Sequence, residues 1–287
     1  MKTVDVIYRY EGDDPGPRER PLDATAAKQR MDDGNQAFAA LLANLDERTG
    51  TAKRVIRVDP RDLGLLQSGT ASLTQRPFAA VVGCADARVP IELIFNEGPN
   101  DLFVIRVAGN TLGDDVRGSL NYALEHLGAS LKLIVVLGHS GCGAVTAAVD
   151  VFLDPAGYLS LASKHPVRAL VDRLLIVVHT CALRLEQMIG PDVAQHPRYR
   201  EALIETAVVT NAAFAALSLQ REIGSGAADG VQVTYGVYDL STRTIWAPRC
   251  GSRDVTGLAA APVEGKDLAE FGKAVVRSQR IAALLAR

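Results

Sequence analysis

Short apolar runs separated by polar, breaker-rich stretches organise this chain. Phe78–Cys84, directly after Pro77, is apolar almost throughout and predicts a strand covered on both faces. Asp101–Val107 and Leu131–Leu137 predict two more strands. Between them Val116, Leu120, Ala123, Leu124 and Leu127 recur at helical spacing, and Gly128 closes the segment. Another helix is predicted from about Cys142. Strand, helix, strand, helix in that order points to a parallel sheet. His165–Ile189 and Arg198–Ile223 predict two long helices. The first is apolar nearly all round at Leu174–Val178, as expected of a helix buried on every side, here by another subunit. Val231–Tyr238 alternates and predicts a strand, with Thr242–Trp246 as its hairpin partner, and Leu268–Leu285 predicts a C-terminal helix. The expected fold class is α/β, a central, mostly parallel β-sheet flanked by helices.

The ends of the chain read differently. Glu11–Pro17 is polar and rich in breakers, so a loop is expected. From Ala26 the pattern turns helical, with Phe38, Leu41, Leu42 and Leu45 on one face, suited to packing on a partner subunit. The expected division is an N-terminal helical arm (1–34), a catalytic α/β domain (35–250) and a C-terminal helical extension (251–287). There is no internal repeat and no low-complexity tract.

Composition narrows the function classes. With 287 residues, 48% hydrophobic, the chain can build a sizeable core. A net charge of -2 provides no electrostatic footprint for nucleic acid or an anionic membrane. Met1–Asp5 is not followed by the apolar run of a secretory signal, and no uninterrupted apolar run reaches the roughly 18 residues of a membrane span. The expectation is a soluble, cytoplasmic protein with neither a nucleic-acid nor a membrane partner. Four cysteines are too few for a disulfide scaffold, and in a reducing compartment cysteines near a histidine point to metal or catalysis.

Two clusters carry that chemistry: Gly83-Cys84-Ala85-Asp86-Ala87-Arg88 and Gly138-His139-Ser140-Gly141-Cys142-Gly143. Each follows a predicted parallel strand, and open α/β sheets gather their sites outside the carboxyl ends of their strands. Two thiolates and an imidazole suit tetrahedral Zn²⁺, and three protein ligands leave a position open, as in catalytic rather than structural zinc sites. Cys142 is expected in the first turn of a helix, where backbone N–H groups favour the thiolate. Asp86, two residues beyond Cys84, is placed either to close the shell as a fourth ligand or to accept a hydrogen bond from bound water. Arg88 is placed to pair with Asp86 and hold it off the metal. Isolated Cys and His residues are ordinarily packing or surface, which is the reading for Cys181, Cys250, His126, His165, His179 and His196. The glycines around His139 lack the Lys-Ser/Thr ending of a phosphate loop, and the His-x-Glu and Pro-Cys-x-x-Cys pair of zinc deaminases is absent.

Cys84-Ala-Asp86-Ala-Arg88-Val-Pro, Arg106-Val-Ala-Gly-Asn110 and Gly138-His139-Ser-Gly-Cys142-Gly resemble the signature motifs of the β-class carbonic anhydrases. The likeness runs from about Gln75 to Ala148, with a weaker echo at Val237-Tyr-Asp-Leu240. The resemblance implies that Cys84, His139 and Cys142 bind Zn²⁺ and that Asp86 and Arg88 serve the metal-bound water. It also implies a substrate pocket of Gln75, Phe103, Tyr122 and Gly109, and assembly as dimers or higher even oligomers with the cleft at the subunit boundary. Ala87 stands where the family usually has a second Ser. Val81 stands where a regulated branch has Trp, so regulation through a non-catalytic bicarbonate site is not expected.

The reaction so implied is reversible hydration of CO₂ to bicarbonate and a proton by zinc-bound hydroxide, with Asp86 orienting the nucleophile and Gln75 the substrate. A closed state with Asp86 on the metal is a corollary of the Cys-x-Asp-x-Arg spacing. Two rivals share the site: a hydrolase of carbonyl sulfide or carbon disulfide, and a non-catalytic zinc protein with a closed shell. Arg88 argues against the latter, because a purely structural site has no use for a group that withdraws its fourth ligand.

Overall fold

The computed structural model describes residues 3–10, 19–43, 49–64, 74–158, 165–224, 230–248, 254–262 and 266–286. Its centre is a seven-stranded sheet. Strands β3 (Ala79–Gly83), β4 (Leu102–Arg106), β5 (Leu133–His139) and β6 (Gln232–Tyr238) run parallel in the order β4-β3-β5-β6. The sheet continues antiparallel through β7 (Ile245–Ala247) and β8 (Val255–Thr256), with β9 (Ala259–Ala260) also on β6. All residues of β3 and β5 are buried, which is why both segments are apolar runs rather than alternating ones.

The pleat sends alternate residues to two cores. Ala80, Val82, Ile134 and Val136 face the larger one. It is built with α3 (Asp114–Leu127), α4 (Gly143–Leu153), α5 (His165–Ile189), α6 (Tyr199–Gly224), α7 (Lys266–Arg277) and α8 (Gln279–Leu285). Ala79, Val81, Leu133, Val135 and Leu137 face the smaller one, closed by α1 (Ala24–Ala39) and the single turn α2 (Ile91–Ile94). Among the described residues α6 alone has the length and apolarity to cross a membrane, but 83% of that window is buried inside the protein, where it is the central helix of the larger core.

Several expectations need correction. The helix expected to pack on a partner subunit lies on its own sheet: Ala27 and Met31 of α1 are buried beside Phe78 and Val81. Asn35 accepts from the N–H of Ile245 (2.8 Å) and Asp32 from that of Leu258 (2.8 Å), so α1 also satisfies backbone donors of the sheet's far end. The 34/35 boundary falls inside this helix. The side chain of Leu42, all of Leu45 and the Glu11–Pro17 segment lie outside the described residues. Within one chain helix α5 is covered on one side only, with Leu174 and Val178 buried and Ile176 67% exposed, so cover on the other side would have to come from another subunit. The C-terminal helix is two helices. Ser278 leaves the helical region (φ -55, ψ 143), and its hydroxyl donates to the carbonyl of Val275 (2.7 Å). Phe271, Val275, Val276 and Ile281 of this region are buried in the larger core. An unexpected strand, β1 (Thr3–Tyr10), pairs in parallel with β2 (Thr51–Val58) as a separate two-stranded sheet.

Candidate metal centre

Register brings the two clusters together. Gly83 of β3 pairs with Leu137 of β5, so Cys84 and His139 leave the sheet at the same edge. A Cβ at Gly83 would lie 2.5 Å from Cδ1 of Ile91, so a larger residue there would oblige that side chain to move. The chain then turns through Gly141 (φ 61) and places Cys142 at the N-cap of α4.

Cys84, His139 and Cys142 are all buried, with ligand atoms within 4.8 Å of one another. The two Sγ atoms are 3.9 Å apart. Two sulfurs each about 2.3 Å from a tetrahedral Zn²⁺ would be separated by about 3.8 Å. Nδ1 of His139 contacts the carbonyl of Ser140 (3.1 Å), so Nδ1 carries the proton and the lone pair is on Nε2. That Nε2 is buried without a hydrogen-bond partner, as are Asn110 Nδ2 and Thr111 Oγ1 in the neighbouring turn. A buried, unpartnered imidazole nitrogen beside two thiols fits a divalent metal with a preference for nitrogen and sulfur.

The two thiols are coupled through their 3.9 Å contact. The hydrogen bond from Cys142 draws Cys84 down to about 4 against the opposing effect of burial, with help from His139 and from the N–H groups of Asp86 and Gly109. The same bond, together with burial, pushes Cys142 up, opposed by the N–H groups of Val145 and Ala144 in the first turn of α4. Gly109 (φ 67) turns the chain after β4, so that its N–H reaches Sγ of Cys84 at 3.4 Å while its carbonyl accepts from Asn211 at 2.9 Å.

Asp86 stands at the rim. Its Oδ1 and Oδ2 accept from Arg88 at 3.0 and 2.7 Å, and Oδ2 is 3.8 Å from Nε2 of His139. The Arg88 hydrogen bond holds the Asp86 carboxyl below the ordinary carboxylate range, so it is ionised at neutral pH. Sequence reasoning passed over two supports. Arg106 donates to the carbonyls of Cys84 (3.1 Å) and Asp86 (2.6 Å), fixing the loop that carries both. Glu205 of α6 accepts from the N–H of Gly141 (3.0 Å) and from Arg280 (2.7 Å), and Arg280 also pairs with Asp239. Arg106 opens the Arg106-Val-Ala-Gly-Asn110 motif, so the sequence did point to it. Glu205 lies in mid-helix, and no spacing in the sequence links it to Gly141.

Three of the four expected pocket residues are not brought to this cluster within one chain. Gln75 is exposed ahead of β3, at the opposite end of the strand from Cys84. Phe103 is half-buried near the start of β4 and packs into the larger core. Tyr122 is 49% exposed on the outer side of α3, its ring against His126. Within one chain only Gly109 of the four lies against a ligand. Cys181 is fully buried in packing, His179 meets Phe152 edge-on and His196 accepts from the N–H of Arg198. Cys250 and the side chain of His165 lie outside the described residues.

The family model for carbonic anhydrase matches residues 79–245, more than half of the chain and including every residue of the cluster. The chain belongs to the β-class carbonic anhydrases. It is 48% identical over 88 residues to "Carbonic anhydrase 2" of Mycobacterium tuberculosis, a match that covers 30% of this chain and 42% of the relative. It is 48% identical over 94 residues to a carbonic anhydrase of Mycolicibacterium smegmatis, covering 31% and 45% respectively. The chain thus spans less than half the length of these two relatives in its matches. Among solved structures it is similar to a tetrameric β-carbonic anhydrase of Sordaria macrospora, at 19% identity and a TM-score of 0.46, covering 79% of this chain and 96% of that one.

Proposed function

We propose that this chain catalyses the reversible hydration of CO₂ to bicarbonate and a proton, with Zn²⁺ held by Cys84, His139 and Cys142. The observation that carries the reading is the buried, unpartnered Nε2 of His139 beside two sulfurs 3.9 Å apart. A zinc ion in that position supplies a Lewis acid that makes water nucleophilic near neutral pH, an effect for which carbonic anhydrases are themselves the standard example.

The chain's own residues do the rest. Cys84 and Cys142 would bring negative charge to that ion and His139 a neutral nitrogen, and three protein ligands would leave a position free for chemistry. Asp86 is ionised and beside that position, so it accepts a hydrogen from the attacking water and aims its lone pair at the carbon of CO₂. The two-point clasp of Arg88 keeps both Asp86 oxygens engaged, which favours this role over that of fourth ligand. Arg106 and Glu205 hold the two ligand loops in register through Cys84, Asp86 and Gly141. Gln75, Phe103 and Tyr122 serve CO₂ only if a second copy of the chain supplies them, so the working unit in this reading is a dimer or a higher even oligomer.

The test is stopped-flow CO₂ hydration on protein of measured zinc content. Fast turnover in proportion to zinc supports the reading. Full zinc occupancy with no turnover at neutral or mildly alkaline pH overturns it. Turnover of carbonyl sulfide or carbon disulfide would then identify the hydrolase, and its absence the closed-site protein.

A further inference from the structure

Among the described residues, strand β1 is an edge strand. It pairs with β2 over eight consecutive residues without a bulge, contains no proline, and has no other strand partner among the described residues. An isolated two-stranded sheet is marginal in water, and an unblunted edge is a template for another strand. The pattern across the sheet sharpens this. Val4, Val6, Tyr8 and Tyr10 share one face, in register with Ala52, Arg54, Ile56 and Val58. On β2 Ala52, Ile56 and Val58 of that face are buried, the first two each 2% exposed, and Arg54 is half-buried. On β1 the same apolar face runs out into solvent, with Val4 and Tyr8 each 38% and Tyr10 40% exposed.

We propose that this edge is an interface between two copies of the chain, β1 pairing antiparallel with β1 of the partner about a two-fold axis at Ile7. The sequence of the strand is self-complementary in that register and no neighbouring one. Centred on Ile7, Val4 lies opposite Tyr10 and Val6 opposite Tyr8 on the apolar face, while Asp5 lies opposite Arg9 on the other, each pair occurring twice by symmetry. Directly opposed residues must share a face, so the nearest alternatives are centred on Val6 or Tyr8. The first sets Asp5 against Ile7 and the second Ile7 against Arg9, and both lose the charge pairs. Arg9 already has an interaction within its own chain. A guanidinium has five donors, so the same side chain can serve a second carboxylate. The product is a continuous β2-β1-β1-β2 sheet across the axis. It does not depend on the metal centre or on any other contact between copies.

Oxidative crosslinking reads the register directly. Residues on a two-fold axis of an antiparallel pair have Cα atoms about 4.5 or about 5.5 Å apart, within disulfide range. Full-length Ile7→Cys protein should give a covalent dimer on a non-reducing gel, and Asp5→Cys alone should give none beyond the wild-type background. Asp5→Cys mixed with Arg9→Cys should crosslink. In sedimentation, Asp5→Arg should weaken association by about tenfold, and Asp5→Arg/Arg9→Asp should restore it. The proposal is overturned if the Ile7→Cys thiol reacts with a small alkylating reagent but gives no dimer, or if charge reversal leaves association unchanged. Crosslinking by Asp5→Cys alone that matches Ile7→Cys would also overturn it, because the register would then be wrong.

Discussion

The two ends of the central sheet make an instructive contrast. At the carboxyl ends of β3 and β5, Cys84, Asp86, Arg88, His139 and Cys142 converge within one chain, tied by Arg106, Gly109 and Glu205. At the amino ends, Gln75 stands in solvent and Phe103 faces the core, neither near a ligand. Residues that follow parallel strands are brought together by strand register alone. Residues that precede the strands are about a strand length away, and only another chain can carry them to the same reaction.

The largest effect should come from breaking the assembled end. His139→Ala or Cys142→Ser should abolish stoichiometric zinc, read by elemental analysis, and cost more activity than the roughly 10- to 100-fold typical of outer-shell changes. Next, Asp86→Asn should lower kcat/KM by about 100-fold or more while zinc content is kept, since it removes the hydrogen acceptor but no ligand. The pH behaviour of Asp86 follows from the sign of its shift. Its folded pKa is depressed, so its stabilising contribution is complete above the ordinary carboxylate range and is lost as pH falls through and below it. Thermal unfolding of Asp86→Asn should therefore show a shallower decline in acid than the wild type. An identical decline would remove the Arg88 clasp from the account.

Glu205→Gln tests the support beneath the same end. It keeps an acceptor for Gly141 but weakens the pairing with Arg280, and should loosen zinc by about tenfold in competition with a chelator. The smallest effect should come from the other end. Gln75→Ala should reduce kcat/KM by about tenfold or less, with zinc affinity unchanged. Mixing Gln75→Ala protein with inactive His139→Ala protein should raise activity above that of Gln75→Ala alone, because one site of each mixed dimer then combines an intact cluster with an intact Gln75. No gain on mixing would mean that Gln75 does not act across subunits.

How legible these regions were in the sequence follows the same division. The strands Ala79–Gly83 and Leu133–His139 were readable because burial on both faces makes them unbroken apolar runs, and the cluster was readable because its ligands follow those strands directly. The break at Ser278 was not, since it depends on a single hydroxyl competing for the carbonyl of Val275. Nor was the placement of α1, because an amphipathic helix shows which face it buries but not which chain covers it. Strand β1 is short, and its partner lies 48 residues farther along in register, so no local signal pairs the two. Glu205 could be found only by folding α6 against the loop at Gly141.

The most direct test of the central claim is zinc K-edge X-ray absorption on the loaded, full-length protein. A first shell with two sulfurs near 2.3 Å and nitrogen or oxygen ligands near 2.0–2.1 Å is the predicted result. A shell without sulfur would place the metal elsewhere and contradict the assignment of Cys84, His139 and Cys142.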